Sequence, residues 1–178
     1  YPSKKALREL ERMNRVSINK NPDPWSQNLE NTLKIVSLNC SGLKAHFQDI
    51  QTDDRLQKAN IIHLVECSLT KEDNNLDFIL EGYDQQIIRI GPGKGIATYF
   101  NSDIFKPAEE VRKDKFQITK FKHKAMDIVN LYRSQTGNSV ELLEKLKNMI
   151  EPGRITIITG DFNICYMENF SNRMTQGL

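Results

Sequence analysis

The sequence predicts an α/β fold whose sheets are covered on both faces. Three apolar runs rich in β-branched residues, at 34–39, 61–65 and 155–159, have the composition of buried strands. Segments that favour helices follow the first run and precede the third, near residues 43–51 and 139–150. The run at 61–65 is apolar on both faces, which is typical of a sheet with a layer packed on each side.

Length and charge bound the organisation of the chain. Its 178 residues are enough for a substantial core, and we expect one folded domain over residues 33–178. Residues 1–32 form a charged segment with helical character at 4–15, followed by a linker that Asn21-Pro22-Asp23-Pro24 makes extended. The formal net charge is only +2, so any surface that binds nucleic acid has to be local.

Cysteine use and hydropathy indicate the cellular setting. Cys40, Cys67 and Cys165 are far apart and form no Cys-x-x-Cys pair, so we interpret them as reduced core thiols. Reduced thiols favour a nuclear or cytoplasmic location. No apolar run approaches the ~20 residues that cross a bilayer, and we expect no membrane partner.

The first two strands each end in a polar residue. The strand at 34–39 ends at Asn39, and Gly42 then precedes the helix. The strand at 61–65 is followed by Glu66, which shares a face with Leu64. Because His63 points to the other face, we interpret it as a core histidine rather than a catalyst.

The middle of the chain predicts a hairpin. Strands at 86–90 and 95–100 are joined by Gly91-Pro92-Gly93-Lys94. The glycines also suit a phosphate-binding loop, but no helix follows them and their spacing fits no such motif. We therefore favour a hairpin connection.

A basic stretch between residues 112 and 124 leaves two interpretations open. It holds six basic side chains against one acid, Asp114, and we predict strands at 116–121 and 125–132 with a turn between them. The basic residues either cover a solvated hairpin tip or contact a nucleic-acid backbone through Lys122 and Lys124.

The second hairpin strand ends at Tyr132 and Arg133, whose phenol and guanidinium can each hold a phosphate oxygen. Asn138 and Glu141 then have the spacing of a capping box. The predicted helix ends before Pro152-Gly153. Its expected apolar stripe consists of Val140, Leu143, Leu146 and Ile150, with Leu142 and Met149 beside it.

The last predicted strand leads into Gly160-Asp161-Phe162-Asn163. Asp161 and Asn163 share a face, and Phe162 turns into the core. The segment is either a simple Asx-type turn or a polar site at a strand end. Three strands that each end in Asn, Glu or an Asp/Asn pair favour the second interpretation, since carboxylate and amide oxygens suit Mg2+.

These motifs occur in an order that resembles the endonuclease/exonuclease/phosphatase superfamily, the deoxyribonuclease I-like proteins, over about residues 33–178. The motifs are Leu38-Asn39-Cys40-Ser41-Gly42-Leu43, Leu64-Val65-Glu66, Gly95-Ile96-Ala97, Asn130-Leu131-Tyr132-Arg133-Ser134 and Gly160-Asp161-Phe162-Asn163. The resemblance is greatest to the endonuclease domains of mobile elements. It implies a four-layer α/β sandwich, with two mixed β-sheets face to face and helices outside.

The resemblance also implies a reaction, the attack of water on a phosphodiester with Mg2+ as cofactor and Mn2+ as the alternative ion. It assigns the metal to Glu66 and Asn39, and Asn39 also counts as catalytic. The remaining assignments are Asp161 to orient or deprotonate the water, Asn163 to donate to a phosphate oxygen, Tyr132 to hold the phosphate, and Arg133, Lys122 and Lys124 to bind substrate.

Two departures from the family pattern open alternatives. Ser41 stands where many family nucleases carry an acid or amide, so we expect weak metal binding. The family's later strands and Ser-Asp-His block are not found up to Leu178, and His46, His63 and His123 match no family position. We therefore expect a fold truncated at its C-terminus, with an exposed sheet edge and poor solubility.

The expected function is a DNA endonuclease domain, joined in its parent chain to an upstream helicase or a downstream reverse transcriptase. One alternative is a catalytically inactive fold that binds nucleic acid or a partner. The other is a phosphatase of the same superfamily.

Overall fold

A computed structural model describes residues 32–163 of the chain as two four-stranded mixed sheets with helices outside them. The expected N-terminal helix and linker, up to residue 31, lie outside the described residues, and so does Cys165. The domain boundary at residue 33 therefore stays a prediction. Within residues 32–163, no helix is long and apolar enough to cross a bilayer.

The first sheet has the strand order β1-β2-β4-β3. β1 and β2 are parallel, because helix α1 carries the chain back between them, and the other pairs are antiparallel. The elements are β1 (Ile35–Asn39), α1 (Leu43–Thr52), β2 (Ile61–Val65), a short 3-10 turn (Asn75–Phe78), β3 (Asp84–Ile88) and β4 (Ile96–Phe100).

The second sheet has the order β5-β6-β7-β8. Its last pair is parallel through the crossover helix α2, and the other two pairs are antiparallel. The elements are β5 (Lys106–Arg112), β6 (Phe116–His123), β7 (Met126–Arg133), α2 (Ser139–Met149) and β8 (Ile155–Asp161).

The layers follow from which faces the apolar residues occupy. Leu43 and Ile50 of α1 pack on the outer face of the first sheet, where Ile62 and Leu64 belong to the same cluster. Helix α2 packs on the outer face of the second sheet, among residues that include Ile118. The order α1, sheet, sheet, α2 is the predicted four-layer sandwich.

The inner faces of the two sheets meet through aromatic and polar contacts. The Phe100 and Phe121 rings lie 4.8 Å apart between centroids. The hydroxyls of Thr98 and Thr119 are 3.3 Å apart, and His63 Nδ1 lies 3.2 Å from Thr98 Oγ1. His63 is fully buried, which lowers its pKa to about 3. The prediction of a core histidine is confirmed.

Two local predictions were wrong, and one strand was not predicted. No strand was predicted at β5, which is an edge strand of exposed charged residues with a register shift near Pro107. The hairpin between β6 and β7 turns at residues 124–125 rather than 122–124. β3 begins and ends two residues earlier than predicted.

The buried stripe of α2 also differs from the predicted one. Leu142, Leu146 and Met149 face the second sheet, whereas Val140 and Leu143 are exposed. Both stripes have helical spacing, so periodicity alone did not distinguish them. The N-cap half of the predicted capping box is confirmed, since the Asn138 side chain accepts from the backbone N–H groups of Val140 and Glu141. The Glu141 carboxylate contacts the Lys113 ammonium instead of the Asn138 N–H.

Candidate functional site

The carboxyl ends of β1, β2, β7 and β8 meet at one edge of the sandwich. In β1 and β2, Asn39 pairs with Val65, and Glu66 follows immediately. In β7 and β8, Tyr132 pairs with Asp161. Tyr132 packs in one apolar cluster with Val65 of the first sheet, so the two strand pairs border a common cleft.

Strand alternation explains why Tyr132 and Asp161 face this cleft. Thr119 pairs with Asn130, and its hydroxyl reaches Thr98 across the sheets, so this face of the second sheet points inward. Tyr132 lies two residues beyond Asn130 and therefore has the same orientation. Asp161 faces the cleft as well, because residues that lie opposite each other on neighbouring strands point to the same side of the sheet.

Glu66 lies at the same cleft, because it follows Val65, which packs against Tyr132. Burial raises the pKa of the Tyr132 phenol, and the negative charges of Glu66 and Asp161 raise this pKa further. Two carboxylates from different sheets therefore act on one phenol. Glu66 and Asp161, which the sequence predicted as site residues, therefore lie at the same cleft.

Glu66 is held by its backbone while its side chain stays available. Its carbonyl oxygen accepts from the N–H of Gly42 at 2.8 Å, and the next residue, Cys67, donates to the carbonyl of Gly95 at 3.2 Å. The residue is half-buried, and within residues 32–163 no hydrogen bond or ion pair reaches its carboxylate. A cation in the cleft would therefore displace no protein partner of Glu66.

Asn39 lies at the same edge, but its side chain is hydrogen-bonded to the turn that follows β1. Its Oδ1 accepts from the Ser41 N–H at 2.9 Å and from the Ser41 hydroxyl at 3.3 Å. These two bonds occupy the lone pairs that a metal would use. The structure thus assigns Asn39 to shaping the loop beside Glu66, and Ser41 is its partner.

The loop between β3 and β4 forms a wall of the cleft. The two strands are antiparallel neighbours, which confirms the predicted hairpin. Tyr132 donates its hydroxyl proton to the Gly93 carbonyl at 2.9 Å, and the Gly93 N–H donates to Ser68 Oγ at 2.9 Å. Gly93 and Ser68 were not predicted as site residues, because their contacts link segments far apart in the chain.

The Asp161–Asn163 segment is both a turn and part of the site. Asp161 Oδ1 accepts from the Asn163 N–H at 3.0 Å, which makes the Asx-type turn. The Asn163 side-chain amide donates to the Arg133 carbonyl at 2.7 Å. The guanidinium of Arg133 in turn donates to the Asn163 carbonyl at 3.0 Å and to that of Phe162 at 3.1 Å.

These contacts change the roles assigned to Arg133 and Asn163. Arg133 neighbours Tyr132 on β7, so its side chain leaves the opposite face of the sheet. Its guanidinium and the Asn163 amide fasten the loop that carries Asp161. Strand alternation could have shown from the sequence that the side chains of Tyr132 and Arg133 leave opposite faces of β7 and have different roles.

Gly160 lets β8 approach β7 just before Asp161. A Cβ atom at this position would lie 1.8 Å from the Leu131 carbonyl oxygen, and φ is +126°. Any larger residue would push the strands apart. The glycine of the Gly-Asp-Phe-Asn motif therefore sets where Asp161 stands.

The structure does not bring Lys122 and Lys124 to this cleft. In the register of β6 and β7, Lys122 lies opposite Asp127. Asp127 precedes Tyr132 by five residues on β7, which is roughly 17 Å along the strand. Its ammonium lies 2.8 Å from Glu151, and Lys124 begins the hairpin turn with a positive φ. The two lysines belong to the opposite end of the second sheet.

The histidines are engaged away from the cleft as well. His46 lies on α1 with its Nδ1 3.4 Å from Asp49, and His123 Nδ1 lies 2.9 Å from the Ile104 carbonyl. His63 contacts Thr98 between the sheets.

Strained backbone concentrates at the cleft. Five non-glycine residues in the described part of the chain have a positive φ, and four of them border this edge: Ser41, Glu66, Ser68 and Asn163. Left-handed backbone at residues other than glycine costs free energy and gathers at functional sites. The clustering is an independent indication that the cleft has a function.

The donors in the cleft fit a magnesium ion. Residues 32–163 contain no group of three or more His, Cys, Asp or Glu side chains that could hold a metal. Mg2+ needs no such group, because it keeps several waters and uses one or two carboxylates together with substrate phosphates. Glu66 and Asp161 are the two carboxylates at the cleft that could hold such an ion.

Comparison with known proteins gives a fold but no close relative. No family model matches the sequence, and a search of curated proteins found no match. Among solved structures, an AP endonuclease from Archaeoglobus fulgidus is similar, with a TM-score of 0.58, 17% identity, and coverage of 75% of this chain and 58% of that one.

Two further structures are similar at 14% identity. The human nocturnin catalytic domain with bound sulfate has a TM-score of 0.55, with 82% of this chain and 69% of that one covered. D. rerio TDP2 complexed with single strand DNA product has a TM-score of 0.57, with 80% of this chain and 65% of that one covered. The chain thus spans 58–69% of the length of these three proteins. The two mixed sheets, their covering helices and these similarities show that the chain has the fold of the endonuclease/exonuclease/phosphatase superfamily.

Proposed function

We propose that this chain forms the metal-binding part of a phosphodiester hydrolase that acts on DNA, with Mg2+ as its cofactor. The observation that carries the proposal is that Glu66 and Asp161 both lie beside Tyr132: Asp161 is its register partner on β8, and Glu66 follows Val65, which packs in one cluster with Tyr132. The similar structures add support, since one is an AP endonuclease and another holds a single strand DNA product.

Each residue of the cleft has a distinct part in this reaction. Bound Mg2+ would neutralise negative charge on the phosphoryl oxygens, and Glu66 would hold it. Asp161 uses Oδ1 to accept from its own turn, which fixes the carboxylate and leaves Oδ2 to orient a water or take its proton. Tyr132 holds the Gly93 loop against the cleft.

Metal binding tests the assignment of Glu66. We expect Glu66→Gln to weaken Mn2+ binding about tenfold or more in calorimetry, because the exchange removes the available carboxylate. Glu81→Gln is the matched control, since Glu81 is exposed and precedes β3, at the other end of the first sheet. Equal affinities in the two variants would contradict a metal site at Glu66.

Nicking of supercoiled plasmid in Mg2+ tests the reaction itself. We expect Glu66→Gln and Asp161→Asn to abolish nicking while Glu81→Gln retains it. Activity that persists in Asp161→Asn would exclude Asp161 from the chemistry.

A second candidate is a fold that binds nucleic acid without cutting it. The observation in its favour is that three donors, on Tyr132, Arg133 and Asn163, are committed to protein carbonyls rather than free for a phosphate. DNA binding that weakens steeply with salt and produces no nicking in Mg2+ would select this candidate. Release of inorganic phosphate from phosphate monoesters would instead favour a phosphatase.

We place the proposed enzyme in a mobile element, in the nucleus or cytoplasm, beside an upstream helicase or a downstream reverse transcriptase. The support is the resemblance of the motif order to mobile-element endonuclease domains. Cleavage of one DNA strand at a preferred sequence would agree with such a setting.

A further inference from the structure

Two buried thiols directly follow cleft residues along the chain. Cys40 follows Asn39 at the end of β1, and Cys67 follows Glu66 at the end of β2. Their sulfur atoms are 3.9 Å apart, and neither belongs to a disulfide. The remaining cysteine, Cys165, lies outside the described residues.

The backbone holds these two cysteines in register. The Cys40 N–H donates to the Val65 carbonyl at 3.0 Å, and the Leu43 N–H donates to the Cys67 carbonyl at 2.9 Å. The two segments therefore run side by side, as β1 and β2 do before them. Closing the sulfur atoms from 3.9 Å to a disulfide bond of about 2.05 Å requires side-chain rotation and a small shift of backbone.

The two thiols differ in their access to small molecules. Cys40 is 6% exposed, whereas Cys67 is fully buried. A small oxidant such as hydrogen peroxide can reach Cys40 first, while bulky disulfides are excluded from both. Cys67 is then placed to react only with its neighbour.

We propose that Cys40 and Cys67 are a redox-responsive pair that a hydroperoxide converts into a disulfide, which ties the ends of β1 and β2 together next to Asn39 and Glu66. The sulfur of Cys40 attacks a peroxide oxygen, the O–O bond breaks, and water leaves, so Cys40 becomes a sulfenic acid. The sulfur of Cys67 then attacks the Cys40 sulfur and displaces a second water. Two thiols and one hydrogen peroxide give one disulfide and two waters, and the two sulfur atoms supply the two electrons.

The cross-link acts on the cleft because each cysteine adjoins a cleft residue. Drawing the two sulfur atoms together shifts the backbone on which Glu66 holds its left-handed conformation. We therefore expect the oxidised chain to bind Mn2+ about tenfold more weakly than the reduced chain. This consequence rests on the proposed function, whereas formation of the disulfide does not.

Peptide mass mapping tests the disulfide. The chain carrying Cys165→Ser is treated with hydrogen peroxide, quenched with catalase, denatured, and its free thiols are labelled with N-ethylmaleimide. We expect the Cys40 and Cys67 labels to disappear together, a linked peptide that joins the two residues, and full recovery of both labels after dithiothreitol.

Single variants make the result specific. In Cys67→Ser, Cys40 should advance to irreversible oxidised forms with no link, and in Cys40→Ser the Cys67 label should survive peroxide. Oxidation of Cys40 to sulfinic acid while Cys67 keeps its label, in the chain that contains both, would overturn the proposal.

Mn2+ calorimetry on the reduced and oxidised chains separates the two proposals. Equal affinity of both forms, with the linked peptide present, would refute the coupling to the cleft. An absence of Mn2+ binding in both forms, with the linked peptide present, would refute the proposed function and leave the redox pair standing.

Discussion

The imidazole of His63 lies between the two sheets without contact with solvent. Its Nδ1 faces Thr98 Oγ1, and its ring lies 6.1 Å from that of Phe121. Among the described residues its Nε2 has no hydrogen-bond partner. A proton on this ring would introduce a buried charge that no carboxylate compensates, and this is why the pKa falls to about 3.

This burial makes the stability of the fold depend on pH. In the unfolded chain a histidine has a pKa of about 6.5, whereas His63 in the fold stays neutral down to about pH 3. Between these values the unfolded state binds one more proton, so the free energy of unfolding falls as the pH falls. We expect His63 to cost about 2 kcal/mol of stability on going from pH 7 to pH 5.

Urea denaturation at pH 7 and pH 5 measures this loss. His63→Gln should reduce the pH dependence, because glutamine does not titrate. His46→Gln is the control, since His46 is exposed on α1 and should leave the dependence unchanged. The same pH dependence in His63→Gln as in the unmodified chain would show that other groups cause it.

At the scale of one element, β6 carries an unusual buried charge. Lys120 faces the α2 layer and is fully buried. Its ammonium lies 3.1 Å from Asp127 Oδ2 on β7, 2.9 Å from Glu151 Oε1 and 2.7 Å from the Met149 carbonyl. The lysine therefore joins β6 and β7 to the end of α2.

Removal of Lys120 should be strongly destabilising. Lys120→Met leaves Asp127 buried with Arg154 as its remaining cation, and breaking a buried ion pair in this way costs about 3–5 kcal/mol. Thermal unfolding measures the loss. Lys122→Met is the control on the same strand, because Lys122 is half-exposed and also contacts Glu151; equal melting temperatures of the two variants would contradict this account.

The elements show which parts of the fold the sequence could predict. β1, β2 and β8 were predictable because their runs are apolar and rich in β-branched residues. Only β2 is buried along its whole length, as the composition of all three predicted, whereas β1 and β8 are partly exposed edge strands. β5 was not predictable, because an edge strand is stabilised by pairing with β6 rather than by its own composition. The basic stretch had two interpretations, a solvated tip or a phosphate contact, and neither anticipated the burial of Lys120.

The carboxylates of the candidate site were predictable from the sequence, but the hydrogen bonds around them were not. Glu66 follows β2 and Asp161 ends β8, so their common edge could be inferred from topology. Hydrogen bonds such as those between Tyr132 and Gly93, or Arg133 and Phe162, join segments distant in sequence, and no local pattern encodes them.

At the scale of the whole molecule, we expect the outer strands of the two described sheets to influence how the chain behaves in solution. β1 and β8 are the edge strands on the same side among the described strands. Ile155, at the start of β8, is 62% exposed. Unpaired backbone beside an exposed apolar residue favours pairing with another chain.

We therefore expect the chain to self-associate as its concentration rises, as sedimentation velocity would show. Ile155→Lys should reduce the association, because an edge lysine opposes strand pairing. Val140→Lys is the control, since Val140 is 64% exposed but lies on α2. A chain that stays monomeric at every concentration would disprove the expectation.

The residues with left-handed backbone around the cleft lower the thermal stability of the fold, but their side chains are needed at the site. Ser41, Glu66 and Ser68 hold a conformation that glycine adopts more easily, at a penalty of about 1–2 kcal/mol each. Glycine at these places would favour folding but would remove the carboxylate of Glu66 and the hydroxyl that receives Gly93. Engineering for heat resistance alone would therefore select against the cleft.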